Sequence, residues 1–474
     1  MSTTATNTST AARQGSSPVA GPQSVSRGFG ADVIGAAALL SVVYVVALWL
    51  SNRGLQDLAG GTGPALTSLG RVLGLVAADL LLLQCLLMAR IPWAERTWGQ
   101  DRLARWHRVL GFTSFHAMLA HVVLITIGYA AGDRRGVPGE LWNLVWTYPG
   151  MLLATAGTLL LIVVTVTSIR RARRRLRYES WHLLHLYAYL GVGLALPHQV
   201  WTGTDFVSSA LARRYWWSLW VAAVAAVLVC RVGTPLWRSW RHRLRVARVV
   251  PEAPGVVSVY LTGRQLDRLG ARAGQFLTLR FLDGPGWSRG NPYSLSAAPH
   301  PSALRVTIAD AGDGSSRAAA LRAGTGVLFE GPYGRLTAEA RTDLARPVVL
   351  LGAGVGVTPL RALLEDIDAP GRITLIVRAP TPADLLFPEE LKALAAARRA
   401  RVIPLIGHRG RSGSWLPQEH SGLDDAAALR WLVPGIGEAE VYVCGPTAWS
   451  EAVVAAAREA GVPNRRIHEE RFSW

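Results

Sequence analysis

The residues with the most chemical potential in this chain are histidines placed where water is scarce. An ionisable side chain inside a membrane-length apolar stretch is costly and defaults to a functional role. One such stretch holds His107, His116 and His121, and another holds His182, His185 and His198. Imidazole nitrogen ligates haem iron, and rings from two facing helices can take the two faces of one haem. On a helix, the fourteen residues from His107 to His121 leave those rings about 40° apart around the axis and about 21 Å apart along it. His116 falls about 180° from His107 and points elsewhere. His185 and His198 are thirteen residues apart, about 140° on an ideal wheel. Pro197, Gly191 and Gly193 can bend that helix and re-aim His198. His182, one turn before His185, is a spare. The expected pairs are His107 with His185 and His121 with His198, holding two irons one above the other in a hydrocarbon core of about 30 Å. Hydrogen-bonded packing explains any one of these rings alone; it explains two widely spaced pairs poorly.

Such rings need helices that cross a bilayer. Half of the 474 residues are hydrophobic and 17% are charged; the mean hydropathy is +0.23, high for a soluble chain of this length. Apolar stretches at roughly 33–50, 66–89, 108–131, 149–169, 182–200 and 215–232 each approach the ~20 residues of a spanning helix. The expectation is a six-helix membrane domain over 31–232, after a Ser-, Thr-, Gly- and Pro-rich tail over 1–30 with no apolar period. Basic residues mark the cytoplasmic side. Arg13 and Arg27 lie in the tail, Arg90, Arg96, Arg102 and Arg105 in the second loop. The fourth loop adds Arg170, Arg171, Arg173, Arg174, Arg175 and Arg177. They outnumber Arg53, Arg134, Arg135, Arg213 and Arg214 of the other loops. The tail and everything beyond the sixth stretch are therefore expected in the cytoplasm, with the chain in the plasma membrane. The net charge of +18 is read as this anchoring, with no nucleic acid as partner. Cys85, Cys230 and Cys444 form no CxxC pair. An iron–sulfur cluster needs four thiolates, so none is expected in this chain.

With paired histidines on its third and fifth stretches, this region resembles the transmembrane domain of the ferric reductase and NADPH oxidase family. The resemblance implies that His107, His121, His185 and His198 ligate two b-type haems. The thirteen-residue step between His185 and His198 is also the family's.

After a linker at 233–242 the pattern changes. Residues 256–261, 276–281 and 304–308 are short strand-like runs punctuated by Gly and Pro, which suits a small antiparallel barrel over 243–345. One strand ends in Asn291, Pro292, Tyr293, Ser294, Leu295 and Ser296. There an aromatic can cover an isoalloxazine while the next hydroxyl and backbone N–H bind it. The run looks like the Arg-x-Tyr-Ser flavin signature of ferredoxin–NADP reductase-type domains. Asn291 replaces the expected Arg or His, and Arg289 is the substitute for its pyrophosphate contact. Gly312, Gly314, Ser315 and Ser316 precede a helix-like segment, where free N–H groups suit a pyrophosphate; the family has a similar flavin-phosphate turn. Glu330-Gly-Pro-Tyr-Gly334 matches the family's strand end between its two domains.

Over 346–474 the pattern is strand, Gly-rich turn, helix, strand. Residues 348–351, 373–377 and 441–443 read as buried parallel strands, and 359–367, 388–399 and 447–460 as helices. Gly352, Gly354 and Gly356 follow the first strand, then Thr358 and Pro359 at a helix start. Glycines let a backbone approach phosphate. The last glycine of the Rossmann fingerprint is missing; the run looks instead like the Gly-x-Gly-x-Thr-Pro nicotinamide turn of the same reductases. Cys444, Gly445 and Pro446 resemble their second nicotinamide landmark. Arg378 follows the second strand with no acid beside it, which favours a 2′-phosphate and so NADPH over NADH. In the resembling reductases a C-terminal aromatic stacks on the flavin and yields to nicotinamide; Trp474, with Phe472 second, is placed to match it.

The expected whole is a cytoplasmic FAD and NAD(P) module feeding two membrane haems, with ferric iron, dioxygen or a partner protein as acceptor. Two alternatives stand beside it. One is a membrane subunit that supplies electrons to a partner; the other is a six-span transporter or channel with a redox-sensing domain and no haem.

Overall fold

The computed structural model describes residues 23–471 apart from 170–177, 285, 311, 313–314, 411–412 and 421. The Arg170–Arg177 run lies outside the described residues. The N-terminal half is helical: α1 (Gln23–Ser51), α2 (Thr62–Met88), α3 (Gln100–Asp133), α4 (Val137–Thr147), α5 (Met151–Ser168), α6 (Tyr178–Trp201) and α7 (Ala210–Ala226). A π-helical segment, Val227–Gly233, carries α7 without a break into α8 (Thr234–His242). Among the described residues, four helices are long and apolar enough to cross a membrane: α2, α3 from Arg102, α5, and the continuous Ala210–His242. The apolar part of α1, Gly35–Ser51, is shorter, and α6 is not among the four. The six expected stretches thus coincide with six helices, of which four have the length and composition of spans.

Glycine sets how these helices approach. A Cβ on Gly157 of α5 would meet Gly191 O of α6 at 2.6 Å, and one on Gly191 would meet Gly157 O at 3.0 Å. The two backbones touch there as only glycines allow. Gly150, at φ 80°, caps the start of α5, and a Cβ on it would press on His198 N at 2.7 Å. The membrane half therefore consists of close pairs, α2 with α3 and α5 with α6, bordered by α1 and α7.

In place of one closed barrel, residues 245–333 form two three-stranded antiparallel sheets. One has the order β1 (Arg245–Ala253), β2 (Val256–Thr262), β5 (Leu304–Ala309). The other has β4 (Asn291–Ser294), β3 (Phe276–Phe281), β6 (Val327–Tyr333). Bridges from Arg245 to Gly326 and from Leu295 to Val306 join them around one core that includes Leu277, Leu295, Val306 and Phe329. The module docks on the helices through β6. Ser239 of α8 bonds Phe329 on both N and O, Arg238 Nη1 donates to Gly331 O, and the Arg90 guanidinium lies 4.6 Å over the Tyr333 ring.

The last module is a five-stranded parallel sheet in the order β11 (Ile467–Arg471), β10 (Glu440–Gly445), β7 (Val348–Ala353), β8 (Ile373–Ala379), β9 (Arg401–Ile406). Helices α9 (Val357–Asp366), α10 (Pro388–Arg398), α11 (Asp425–Leu432) and α12 (Thr447–Glu459) cover it. Two apolar clusters, one on Val349, Leu351 and Val443 and the other on Leu350, Leu363 and Leu375, show burial on both faces. Strand order reverses between β7 and β10, and in open α/β sheets ligands bind beyond the carboxyl ends of the strands at such a point.

Candidate functional site

The histidines come first. His107 and His121 project from α3 and His185 and His198 from α6. The His107 and His185 ring centroids are 6.0 Å apart, and those of His121 and His198 are 6.3 Å apart. A metal–imidazole bond is about 2 Å, so two rings sharing one metal through Nε2 set their centroids about 6 Å apart. Both pairs fit that spacing. Three of the four rings use Nδ1 elsewhere: His121 with Gly70 O at 2.8 Å, His198 with Thr202 Oγ1 at 2.7 Å, His185 with Ser168 Oγ at 3.2 Å. Such a bond fixes ring orientation and leaves Nε2 as the ligating nitrogen. Gly74 makes room, since a Cβ there would lie 2.5 Å from His121 Nδ1. His116 is exposed and bonds its own helix at Phe112 O, 2.8 Å away. Trp181 lies 5.1 Å from the His185 ring. Among the described residues no group of three or more His, Cys, Asp or Glu gathers to hold a metal ion. A metal between a histidine pair would need its remaining ligands from a macrocycle such as porphyrin.

At the end of the membrane half away from the sheets, a cavity of about 620 Å³ is lined by Asn52, Arg53, Asp57, Arg71, Thr204 and Ser208, among others. Arg71 is forked between Asp57, at 2.9 Å, and Asp205, at 2.8 Å. It follows Gly70, the acceptor for His121.

The flavin-type residues sit on and after β4. Asn291, Pro292 and Tyr293 are half-buried, whereas Ser294, Leu295 and Ser296 are buried. Burial pushes the Tyr293 phenol up to about 12. Ser296 is committed inside the protein: its Oγ accepts from Arg305 Nε at 3.1 Å and Thr307 Oγ1 at 2.8 Å. Arg305 also reaches Ser296 O at 2.7 Å and Glu390 at 2.7 Å, and Glu390 pairs with Arg361 at 3.0 Å. This network ties the antiparallel sheets to α9 and α10. The motif reading did not include Arg305 or Glu390; the tendency of a buried arginine to recruit a carboxylate is the signal, but its partner is far away in sequence. Ser315 and Ser316 close a turn by donating their N–H groups to Gly312 O. Gly314 lies outside the described residues.

The nicotinamide-type residues meet at the reversal in strand order. Gly352 on β7 pairs with Cys444 on β10. A Cβ on Gly356 would lie 2.2 Å from Cys444 O, and one on Gly445 would lie 2.8 Å from Trp449. The two motifs therefore form one surface of bare backbone, with Gly354 at φ 54° exposed at its tip and Pro446 exposed on its other edge. Thr358 is buried and donates to Val355 O at 2.8 Å, holding the turn, and Pro359 is buried behind it. Cys444 is fully buried and its thiol is pushed well up by burial. Arg378 is buried as well. It donates to Ala379 O at 2.8 Å and to Gly407 O, and burial lowers it from the usual guanidinium value. Phe472 and Trp474 lie outside the described residues, three positions or fewer beyond β11.

Comparison with known proteins matches residues 73–196 to the ferric reductase like transmembrane component and residues 350–455 to the oxidoreductase NAD-binding domain. The glycine betaine monooxygenase reductase subunit of Chromohalobacter salexigens is 28% identical over 51% of this chain and 67% of its own length. The flavohemoprotein of Bordetella pertussis is 31% identical over 50% of this chain and 61% of its own. The ferredoxin reductase component of 3-ketosteroid-9-alpha-monooxygenase from Mycolicibacterium smegmatis is 32% identical over 48% and 65%. The chain thus spans 61–67% of the length of these relatives, and they span about half of it. One chain thus carries a region similar to the ferric reductase like transmembrane component, over residues 73–196, and an oxidoreductase NAD-binding region, over residues 350–455, within a half that is similar to FAD- and NAD(P)-type reductases.

Proposed function

We propose that this protein takes electrons from NAD(P)H and passes them, through FAD and two b-type haems, to an acceptor across the plasma membrane. Bound FAD would change two-electron donation into single-electron transfer, and the haem irons would carry the single electrons. The observation that carries this reading is the equal spacing of two histidine pairs, 6.0 and 6.3 Å, on two helices.

The chain's own residues divide the remaining work. Gly352, Gly354, Gly356, Gly445 and Pro446 would receive the nucleotide on bare backbone, with Cys444 at the floor. Thr358 holds the turn's shape from behind. Pro292 and Tyr293 would lie along the flavin, Ser294 would bond it, and Ser315 and Ser316 would face its phosphates, with Asn291 or Arg289 beside them. Trp474 would cover the flavin until nicotinamide replaces it. NADPH is the preferred donor and NADH the alternative. Arg378 would have to release a carbonyl to reach a 2′-phosphate. The soluble modules and N-terminus face the cytoplasm, so electron flow runs outward, down a cell-negative potential worth about 2.3 kcal/mol per charge per 100 mV.

The polar cavity around Arg53 and Arg71 opens on the acceptor side, next to the His121 level. It suits a small acceptor, ferric chelate or dioxygen. The relatives named as reductase subunit and ferredoxin reductase component favour a second reading, in which the acceptor is a partner protein.

Adding NADPH without oxygen to the purified full-length chain tests both. Reduction of flavin and then of a Soret-absorbing haem, at two haems per chain, is expected. Reoxidation by ferric chelate or dioxygen supports a direct acceptor, and its failure supports the partner. A preparation with flavin but no porphyrin overturns the relay.

A further inference from the structure

Asp79 is wholly buried on α2, in a helix apolar enough to cross the membrane. Its Oδ1 lies 2.7 Å from Ser41 Oγ of α1 and 2.5 Å from Tyr215 OH of α7, and those two hydroxyls are 2.7 Å from each other. Three oxygens thus form a triangle in which every edge is a hydrogen-bond distance. Each edge needs a proton. Ser41 and Tyr215 supply one each, so the third belongs to the carboxyl. An ionised Asp79 would draw both hydroxyl protons to Oδ1 and leave Ser41 and Tyr215 in close contact with no proton between them. The other carboxyl oxygen, Oδ2, is buried with no hydrogen-bond partner, which a neutral acid tolerates far better than a carboxylate.

Among the described residues the surroundings offer no cation to hold an anion. The described titratable groups facing the triangle are Tyr215 itself and Tyr44 of α1, whose ring lies tilted with its centroid 4.5 Å from that of Tyr215. Around them pack Val45, Leu75, Leu82 and Trp216. The nearest charged group along α2 is Arg71, eight residues before Asp79, and Arg231 stands at the helix's C-terminal end. Arg71 is paired with Asp57 and Asp205, and Arg231 of the π-helical segment donates to Met88 O at 3.1 Å.

The depth of this acid ties it to the histidine pairs. Gly70 and Gly74 of α2 contact His121, and Gln84 contacts Gly111 of α3, four residues after His107. Asp79 is five residues from both Gly74 and Gln84, about 7.5 Å along the axis from each level. It lies on the opposite face of α2, about 140° around the helix from those two.

We propose that Asp79, Ser41 and Tyr215 form a proton-binding site inside the membrane domain, exchanging its proton as the charge on the paired-histidine centres changes. The linkage rests on the haem reading; the presence of the proton does not. An added electron raises negative charge nearby in a medium of low dielectric constant and favours the protonated acid. At alkaline pH, above the titration of the acid beside the oxidised centres, loss of the electron breaks the Asp79 O–H bond and the proton passes to water. The carboxylate remains, accepting from Ser41 and Tyr215. One electron gained matches at most one proton taken up.

Infrared spectra of the full-length oxidised protein at neutral pH test the site. The parent-minus-Asp79→Asn difference is expected to show a protonated-carboxyl C=O band that shifts in D2O. Carboxylate bands in its place overturn the proposal. Tyr215→Phe keeps the acid and removes one hydroxyl, so the band is expected to persist at higher frequency; an unmoved band overturns the triangle. Haem midpoint potentials in the parent are expected to fall as pH rises above neutral and to be level with pH over that range in Asp79→Asn. Equal pH slopes in both overturn the linkage. Absence of haem removes the linkage and the relay together, while the infrared band still reports on the acid.

Discussion

The two halves of this molecule prepare for ligands in opposite ways. In the helical half the proposed binding groups are side chains: four imidazoles carried on two helices, three of them steered by what their Nδ1 touches. In the parallel-sheet half the proposed binding surface is backbone, with glycines whose missing Cβ atoms would strike Cys444 O or Trp449. Deleting atoms should therefore disable the first half, and adding one should disable the second.

The largest effect tests the first side of that contrast. His121→Ala or His198→Ala is expected to remove one haem of the two and to reduce electron delivery across the membrane to background. NADPH-driven flavin reduction should continue at the parent rate. Haem content by absorbance and flavin reduction by stopped flow check this. Loss of flavin reduction in either variant would mean that the halves are not separable. Next comes the opposite change, Gly356→Ala. Its Cβ would meet Cys444 O at 2.2 Å, so the turn must move. A destabilisation of about 1–3 kcal/mol is expected. NADPH affinity should fall by about tenfold or more, the equivalent of about 1.4 kcal/mol, with haem content unchanged. Calorimetric titration and haem absorbance separate the two.

The contrast also explains what was legible in the sequence. Backbone sites advertise themselves, because the glycines must follow one another along a strand end. Residues 352–359 and 444–446 were readable as motifs, and the fold brings them together at the β7–β10 junction. Their neighbouring strands and helices were readable too, from continuous apolar runs. Intramembrane histidines advertise themselves by cost. What the sequence did not reveal is polar and non-local. Arg305 meets Glu390 across 85 residues, Glu440 meets Thr342 across 98, and Tyr215 meets Asp79 across 136. No period or spacing links such partners. Polar residues inside a motif were equally opaque: Ser296, Thr358 and Arg378 have the right types for ligand contacts, yet each is spent on internal hydrogen bonds. The helix count was blurred for a related reason, since the histidines that mark α6 also dilute its apolar character.

A third prediction concerns the seam between the soluble modules. Glu390 lies between Arg305, 4% exposed, and Arg361, 9% exposed, and is itself 38% exposed. Glu390→Gln leaves the buried Arg305 guanidinium without its counter-charge, while Arg361 keeps Glu365, at a cost of about 1–3 kcal/mol. Arg305→Met in that background should recover part of it, since the unpaired buried charge is then gone. Denaturant unfolding of the four proteins in the cycle measures the coupling. Strict additivity would show that the seam is held by apolar contacts.

The smallest effect is pH-dependent and probes the edge of the parallel sheet. Glu440 is fully buried at the start of β10. Burial alone would raise its carboxyl, but His468 Nε2 at 2.7 Å and the N–H and hydroxyl of Thr342 outweigh burial and hold it below the usual carboxylate value. In the unfolded chain it returns to an ordinary glutamate value near about 4.3. A group whose folded value is depressed binds fewer protons folded than unfolded between those two values. Its stabilisation is therefore complete above the unfolded value and disappears as pH falls through the folded one. Because β11 is held by β10 and carries His468, acid should loosen this edge first. Hydrogen exchange at 467–471 is expected to quicken below about pH 4 in the parent. In Glu440→Gln it should be faster at neutral pH and nearly flat over the same range. An unchanged acid limb in Glu440→Gln would assign the loosening to other carboxylates.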